Sequence, residues 1–158
     1  MTPALGGAPV SRRTALGVGL LALGALASCW RAPTDEERIQ GVIQDIVAGA
    51  VDGDVGDVMT HVSRKYRSDT GDYETLHGLL VQAFLRRGPI LVVPGPVSVV
   101  VSGDTAHASF DAAIAEGTGQ WRDIVPVNAD GWHLEVDFAR EEGDTWRVTQ
   151  HERTSWSK

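Results

Sequence analysis

The sequence predicts an α+β domain in which N-terminal helices pack on one face of an antiparallel sheet of four or five strands. Apolar residues recur about every 3.6 positions between residues 34 and 88, and every second position from residue 97 onward. Short turn motifs separate the later segments. Helices followed by strands that short turns connect are typical of a sheet that carries its helices on one side.

The first predicted helix covers residues 34–51. It opens with TDEE, a capping box in which the Thr34 and Glu37 side chains each accept a hydrogen bond from a backbone N–H of the first turn. Its apolar positions fall on one helical face: Ile39, Val42, Ile43, Ile46, Val47 and Ala50. Gly53 is expected to end this helix in a turn.

Two further helices are predicted before the strands. A short one ends near His61, and residues 63–71 form a polar connector. The third helix begins after Asp72, its expected N-cap, and ends before Gly88 and Pro89. Its apolar face consists of Tyr73, Leu76, Leu80, Ala83 and Phe84.

The second half of the chain predicts a meander of strands. SGD, EGTGQ, NADG and EEGD mark its turns. The alternating segments are residues 97–101, 106–114, 132–138 and a last strand that begins at 146, with a less regular segment at 121–127 that contains a proline.

The first 28 residues are predicted to be a signal peptide. Arg12 and Arg13 precede thirteen uncharged residues, 15–27, which are too few to span a bilayer because a spanning helix needs about 20. SRRTALG resembles the twin-arginine motif of the Tat export pathway, although Ala15 and Gly17 stand where Phe and Lys are usual. Tat export and general secretion therefore both stay open.

The signal peptide ends in LASC, which resembles the bacterial lipobox at Leu26, Ala27, Ser28 and Cys29. The resemblance implies cleavage before Cys29 and a diacylglycerol on its sulfur, which would anchor the protein in a membrane. Residues 29–33 then form a lipidated N-terminus and tether. By the sorting rule of Gram-negative lipoproteins, Trp30 implies the outer membrane, facing the periplasm, if the organism is Gram-negative.

Length and charge limit the remaining possibilities. The chain has 158 residues, which suits one domain at 34–158 once the leader is set aside. From Cys29 onward it carries 12 basic and 21 acidic residues, a net charge of −9, so a nucleic-acid partner is not expected. Cys29 is the single cysteine, which excludes an internal disulfide.

The order of helices and strands, the late GDTWRV motif, and the positions of Tyr66 and Trp146 resemble the nuclear transport factor 2-like superfamily, also called SnoaL-like or cystatin-like, over residues 34–153. The resemblance implies a sheet curved around the helices into a cone with a pocket at its open end. Enzymes of this superfamily use an Asp or His of the pocket as a base and a Tyr or an acid as a hydrogen-bond donor.

Strand parity predicts which side chains reach such a pocket. Gln150 shares the parity of Trp146 and Val148, so it is predicted to line the pocket together with Tyr66. The titratable residues predicted to face outward are His107, Asp111, His133, Glu135, Asp137, Arg147 and His151. Three of the histidines, His107, His133 and His151, would then meet only on the outer face, and no metal site or cofactor is predicted.

Three functional hypotheses follow. The first is a non-catalytic, lipid-anchored domain of the cell envelope that binds a small apolar ligand or a protein partner. The second is an isomerase or cyclase that uses Asp123 as base and Tyr66 as donor. Asp123 lies in the segment without clean alternation and would point inward on the parity of Trp121 and Val125. The third is a structural envelope protein that forms a homodimer through the outer face of its sheet.

Overall fold

The computed structural model describes residues 31–87, 90–116 and 130–155. The chain divides into two compact units, and the second is Pro33–Lys158. Its helices are α1 (Asp35–Asp52), α2 (Val55–Thr60) and α3 (Tyr73–Arg87). Its strands are β1 (Arg67–Ser68), β2 (Gly71–Asp72), β3 (Ile90–Pro94), β4 (Ser98–Ser102), β5 (Thr105–Glu116), β6 (Asp130–Glu141) and β7 (Thr145–Ser155).

Local hydrogen bonds fix both ends of α1. The Glu37 backbone N–H donates to the Thr34 hydroxyl at 3.3 Å, and the Thr34 N–H donates to the Glu37 carboxylate at 2.8 Å, which confirms the capping box. Gly53 follows the helix with φ 70°, a left-handed conformation that glycine adopts without steric cost. The predicted helix at 34–51 is therefore confirmed within one residue at each end.

Short polar caps also begin the other helices. Asp54 accepts a hydrogen bond from the Asp57 N–H at the start of α2, and Asp72 accepts one from the Thr75 N–H at the start of α3. Between α2 and α3, the segment predicted as a polar connector forms the two-residue strands β1 and β2, which pair with each other.

The main sheet is antiparallel, in the order β3, β5, β6, β7, with β4 also paired to β5. β3 pairs with residues 112–116 of β5 and β4 pairs with residues 105–109, so the two form one edge in two pieces. The break falls at Gly95, whose N–H donates to the Asp111 carbonyl at 2.7 Å. β3 was not predicted, because its apolar run lacks alternation and ends at Pro94.

The core lies between α1 and the inner face of the sheet. Side chains that are almost completely buried come from the helix (Ile39), the connector (Tyr66) and the last two strands (Phe138 and Trp146). The α+β class with helices packed on a curved antiparallel sheet is confirmed. The predicted strand at 121–127 lies outside the described residues.

Candidate functional site

A cavity of about 230 Å³ lies between the helices and the inner face of the sheet. Fifteen of its seventeen lining residues carry only hydrocarbon side chains: Ile43, Ile46, Val47, Ala50, Val58, Val62, Leu76, Leu80, Val92, Phe110, Ile114, Leu134, Val136, Phe138 and Val148. The other two are Tyr66 and His151. A mostly apolar concave site with a few convergent polar groups is typical of a small-molecule site.

The two polar lining residues contact each other. The Tyr66 phenol oxygen lies 2.5 Å from Nδ1 of His151, and the two rings are stacked with an interplanar angle of 21°. Tyr66 is 0% exposed, and His151 is half-buried. Within the described part of the chain, Tyr66 is the only hydrogen-bond partner of the His151 side chain.

A short segment fastened to β7 brings Tyr66 to this place. The Ser63 N–H donates to the Val148 carbonyl at 2.8 Å, and the Val148 N–H donates to the His61 carbonyl at 2.9 Å. The Tyr66 N–H then closes a turn by donating to the Ser63 carbonyl at 3.0 Å. The Ser63 hydroxyl, fully buried, donates to Glu141 at 2.6 Å. Backbone pairing therefore holds the phenol against the edge strand.

A β-bulge turns His151 toward the cavity. Phe138 on β6 pairs with Val148, but the preceding Asp137 pairs with Gln150, so Thr149 has no partner in the ladder. An extra residue in one strand reverses the parity of the positions after it. His151 consequently lies opposite Val136, whose side chain is buried in the core.

Burial disfavours the charged forms of both polar groups. Burial raises the pKa of the Tyr66 phenol above its ordinary value of 10.0. Burial, and to a smaller extent the positive charge of Arg153, lower the pKa of His151 below 6.5. The two rings therefore add no charge to a cavity whose surface is almost entirely hydrocarbon.

The same architecture occurs in solved structures, although no protein-family model and no curated protein matches the sequence. A nuclear transport factor 2-like protein with a cystatin-like fold from Novosphingobium aromaticivorans superimposes with a TM-score of 0.62 and 18% identity, over 78% of this chain and 82% of that one. A nuclear transport factor 2-like protein of unknown function from Pseudomonas putida superimposes with a TM-score of 0.64 and 14% identity, over 76% of this chain and 85% of that one. The fold is nuclear transport factor 2-like.

One similar structure belongs to a longer protein. Bd1075 of Bdellovibrio bacteriovorus superimposes with a TM-score of 0.64 and 11% identity, over 76% of this chain but only 40% of its own length. Identities this low establish the fold alone, and function has to be argued from the site.

The parity prediction for β7 is corrected by the bulge. Gln150 was expected to face the pocket and His151 the outer side of the sheet. In the structure His151 lines the cavity and Gln150 lies on the outer side. Gln150 pairs with Asp137 and its amide donates to Glu152 at 3.2 Å, on the side away from the cavity. Nothing in the residue alternation marks Thr149 as the extra residue, so His151 was missed as a lining residue.

The remaining strand histidines lie on the outer face of the sheet. His107 Nδ1 is 2.7 Å from an Asp137 oxygen, and His133 Nδ1 is 2.8 Å from an Asp111 oxygen. His151 does not join them, because it faces the cavity. Across residues 31–87, 90–116 and 130–155, no group of three or more His, Cys, Asp or Glu side chains could hold a metal ion.

Several predicted site residues lie outside the described residues, so the structure does not place them. They are the alternative base Asp123, the export residues Arg12 and Arg13, and the lipobox residues Leu26, Ala27, Ser28 and Cys29. In the part of the chain that is described, no helix combines the length and apolar character needed to cross a membrane.

Proposed function

We propose that this protein is an exported, lipid-anchored protein of the cell envelope whose nuclear transport factor 2-like domain binds a small apolar ligand. The observation that carries the proposal is the cavity itself, in which fifteen of seventeen lining residues are hydrocarbon and the other two form an uncharged pair. Binding of an apolar ligand to such a surface is favourable, because it removes apolar area of both the cavity and the ligand from water.

The size of the cavity limits the ligand. An apolar cavity of about 150 Å³ in a protein core can hold benzene, whereas this cavity measures about 230 Å³. The fitting guest is therefore larger than one aromatic ring but smaller than most drug-sized molecules, which occupy pockets of about 300–1,000 Å³. A two-ring hydrocarbon skeleton or a short branched chain meets this limit.

The contacts of His151 favour binding over catalysis. A histidine that acts as a general base is commonly oriented and charge-stabilised by a carboxylate. In the described structure no carboxylate accepts a hydrogen bond from His151, and the surrounding burial disfavours its protonated form. The site thus lacks the carboxylate that commonly supports proton abstraction by a histidine.

Binding is tested by calorimetric titration of the full-length protein with naphthalene, a two-ring apolar probe. Ala50→Phe places a phenyl ring in the cavity lining and should abolish binding. Ala48→Phe, on the exposed side of the same helix, is the matched control and should bind as the unmodified protein does. Binding that survives Ala50→Phe, or no binding by the unmodified protein, would overturn the proposed ligand site.

The lipobox-like sequence at Cys29 supports the lipid anchor. Two or more acyl chains hold a protein firmly in a membrane, whereas a single chain binds only marginally. Cys29→Ser should shift the protein from the membrane fraction to a soluble or unprocessed form. Ser28→Ala keeps a small residue at the cleavage site and should leave fractionation unchanged. Undiminished membrane association of the Cys29→Ser protein would refute lipid anchoring.

A further inference from the structure

The cavity opens at one end of the domain, where the burial of the surrounding residues decreases. Along α1 the exposed fraction rises from Ile39 (0%) to Ile43 (5%), and along β6 it rises from Phe138 (1%) to Val136 (8%). Beyond these residues the lining is only half-buried, at Ile46, Val47, Ala50, Leu80, Ile114 and Leu134. These half-buried residues form the cavity mouth, which therefore lies beside the C-terminal half of α1.

An ion cluster centred on Arg140 closes the opposite end of the domain. The Arg140 guanidinium donates to the Asp35 carboxylate at 2.6 Å and also to the Asp144 carboxylate. The Arg140 backbone N–H donates to the Asp104 carbonyl at 2.8 Å, and the Trp146 ring that the guanidinium covers is 2% exposed. Because Asp35 is the first residue of α1, the cluster fixes the start of this helix to the turns that precede β5 and β7.

The proposed lipid anchor joins the domain at this closed end, because the tether leads directly into α1. The six residues from Cys29 to Thr34 span at most about 22 Å when fully extended. Helix α1 has 18 residues and is therefore about 27 Å long. The tether is shorter than the helix, so an anchored domain cannot turn over and place the cavity mouth on the membrane.

The long sides of the domain carry exposed acidic groups. Asp45 and Asp52 lie on the exposed face of α1, and Asp111, Glu135 and Glu152 lie on the outer face of the sheet. An anionic lipid surface attracts lysine and arginine side chains and repels carboxylates. Neither surface therefore favours a domain that lies flat on an anionic membrane.

We infer that the anchored protein is oriented with its cavity mouth away from the membrane that holds it, so that the ligand enters from the aqueous compartment and not from that bilayer. This inference rests on the proposed function, because it uses both the lipid anchor and the ligand cavity. A ligand dissolved in the anchoring bilayer has to cross water before it reaches the mouth.

Two labelled variants of the mature lipidated protein test this orientation. Glu36 and Asp52 are exposed acidic residues near the two ends of α1, about 24 Å apart along the helix axis. In Glu36→Cys and in Asp52→Cys the new thiol is the only free one, because the lipid occupies Cys29, the single cysteine of the chain. Each thiol carries a bimane fluorophore, and each protein is reconstituted into phosphatidylcholine vesicles whose headgroups carry a nitroxide quencher.

We expect the label at position 36 to be quenched several-fold more than the label at position 52, with vesicles that lack the nitroxide as the reference. Equal quenching, or stronger quenching at position 52, would overturn the inferred orientation and leave the anchor intact. No quenching at either position would overturn lipid anchoring and the orientation together. Naphthalene titration of the same proteins reports on the cavity separately, and no binding there would overturn the ligand site and the inferred route of the ligand.

Discussion

The Tyr66 phenol and the His151 imidazole meet at 2.5 Å across the wall of an apolar cavity, although 85 residues separate them in the chain. Two independent backbone features produce this contact. The segment around Ser63 attaches to Val148 on β7 and presents the phenol, while the unpaired Thr149 rotates the following residues and presents the imidazole. Either feature alone would leave one ring without its partner.

The first prediction concerns pH. Because burial lowers the pKa of His151 below 6.5 in the folded state, the unfolded chain takes up a proton first as the pH falls. The free energy of unfolding should therefore decrease as the pH drops below about 6.5 and level off below the lower pKa of the folded state. Urea denaturation at a series of pH values measures this slope.

Two variants assign that slope to His151. His151→Phe removes the titrating group and should flatten this part of the pH profile. Tyr66→Phe should retain it, because burial, the main cause of the shift, stays in place. An unchanged slope in His151→Phe would show that another group is responsible.

The second prediction concerns the bulge. Deleting Thr149 gives a regular ladder in which Gln150 still lies opposite Asp137 and His151 still lies opposite Val136, so His151 should continue to face the cavity. The deletion removes the hydrogen bond of the Thr149 hydroxyl and leaves the Tyr66–His151 contact in place. Denaturation should therefore show a free energy of unfolding that is lower by only about 0.5–1.5 kcal/mol.

Thr149→Val is the matched control for this deletion. It keeps the residue count of β7 and removes only the hydrogen bond from the Thr149 hydroxyl to the Asp137 carbonyl at 3.2 Å. Its cost should be about 1 kcal/mol. A deletion that proves far more destabilising than Thr149→Val would show that β7 does not keep this register without the bulge.

These residues also show what the sequence can predict. Alternation correctly assigned the outer face to His107 and His133 on the long regular strands, because every residue there pairs in register. It failed at Gln150, because a bulge changes the residue count of one strand without changing its composition. Parity arguments hold only up to the first bulge, and His151 lies just beyond one.

β3, one half of an edge of the sheet, was missed for a different reason. β3 and β4 are two halves of one edge, interrupted at Gly95, and the proline on each side of this glycine signals a loop in the sequence. Helix α1, in contrast, was predicted closely because capping and periodicity are local properties. The long-range contact of Tyr66 with β7 has no local signal at all.

The third prediction concerns Asp35, at the start of α1. Its carboxylate accepts hydrogen bonds from Arg140 at 2.6 Å and from the Trp146 indole N–H at 3.2 Å. The hydrogen bond from Arg140 is the largest of the causes that lower the pKa of Asp35 below 3.8. The ionised carboxylate therefore stabilises the fold above that pH, and this contribution is lost as the pH falls through the lower pKa of the folded state.

Asp35→Asn should consequently be less stable at neutral pH and lose less of its stability on acidification. Acid-induced unfolding, followed by far-UV circular dichroism, compares the two proteins. Glu36→Gln removes an acidic charge from the same turn on its exposed side and controls for the helix dipole. Parallel acid-unfolding profiles of the two proteins would contradict a role for the Asp35 carboxylate in acid stability.

The last prediction concerns Phe138, which is 1% exposed, lies opposite Val148 in the ladder and forms part of the cavity wall. Phe138→Ala removes a buried ring and should lower the free energy of unfolding by about 3–5 kcal/mol, because the packed core closes the resulting space only in part. Val100→Ala, at a side chain that is 64% exposed on β4, should change it by less than about 0.5 kcal/mol. Urea denaturation measures the free energy of unfolding of both variants. Similar losses in Phe138→Ala and Val100→Ala would mean that Phe138 does not support the cavity wall.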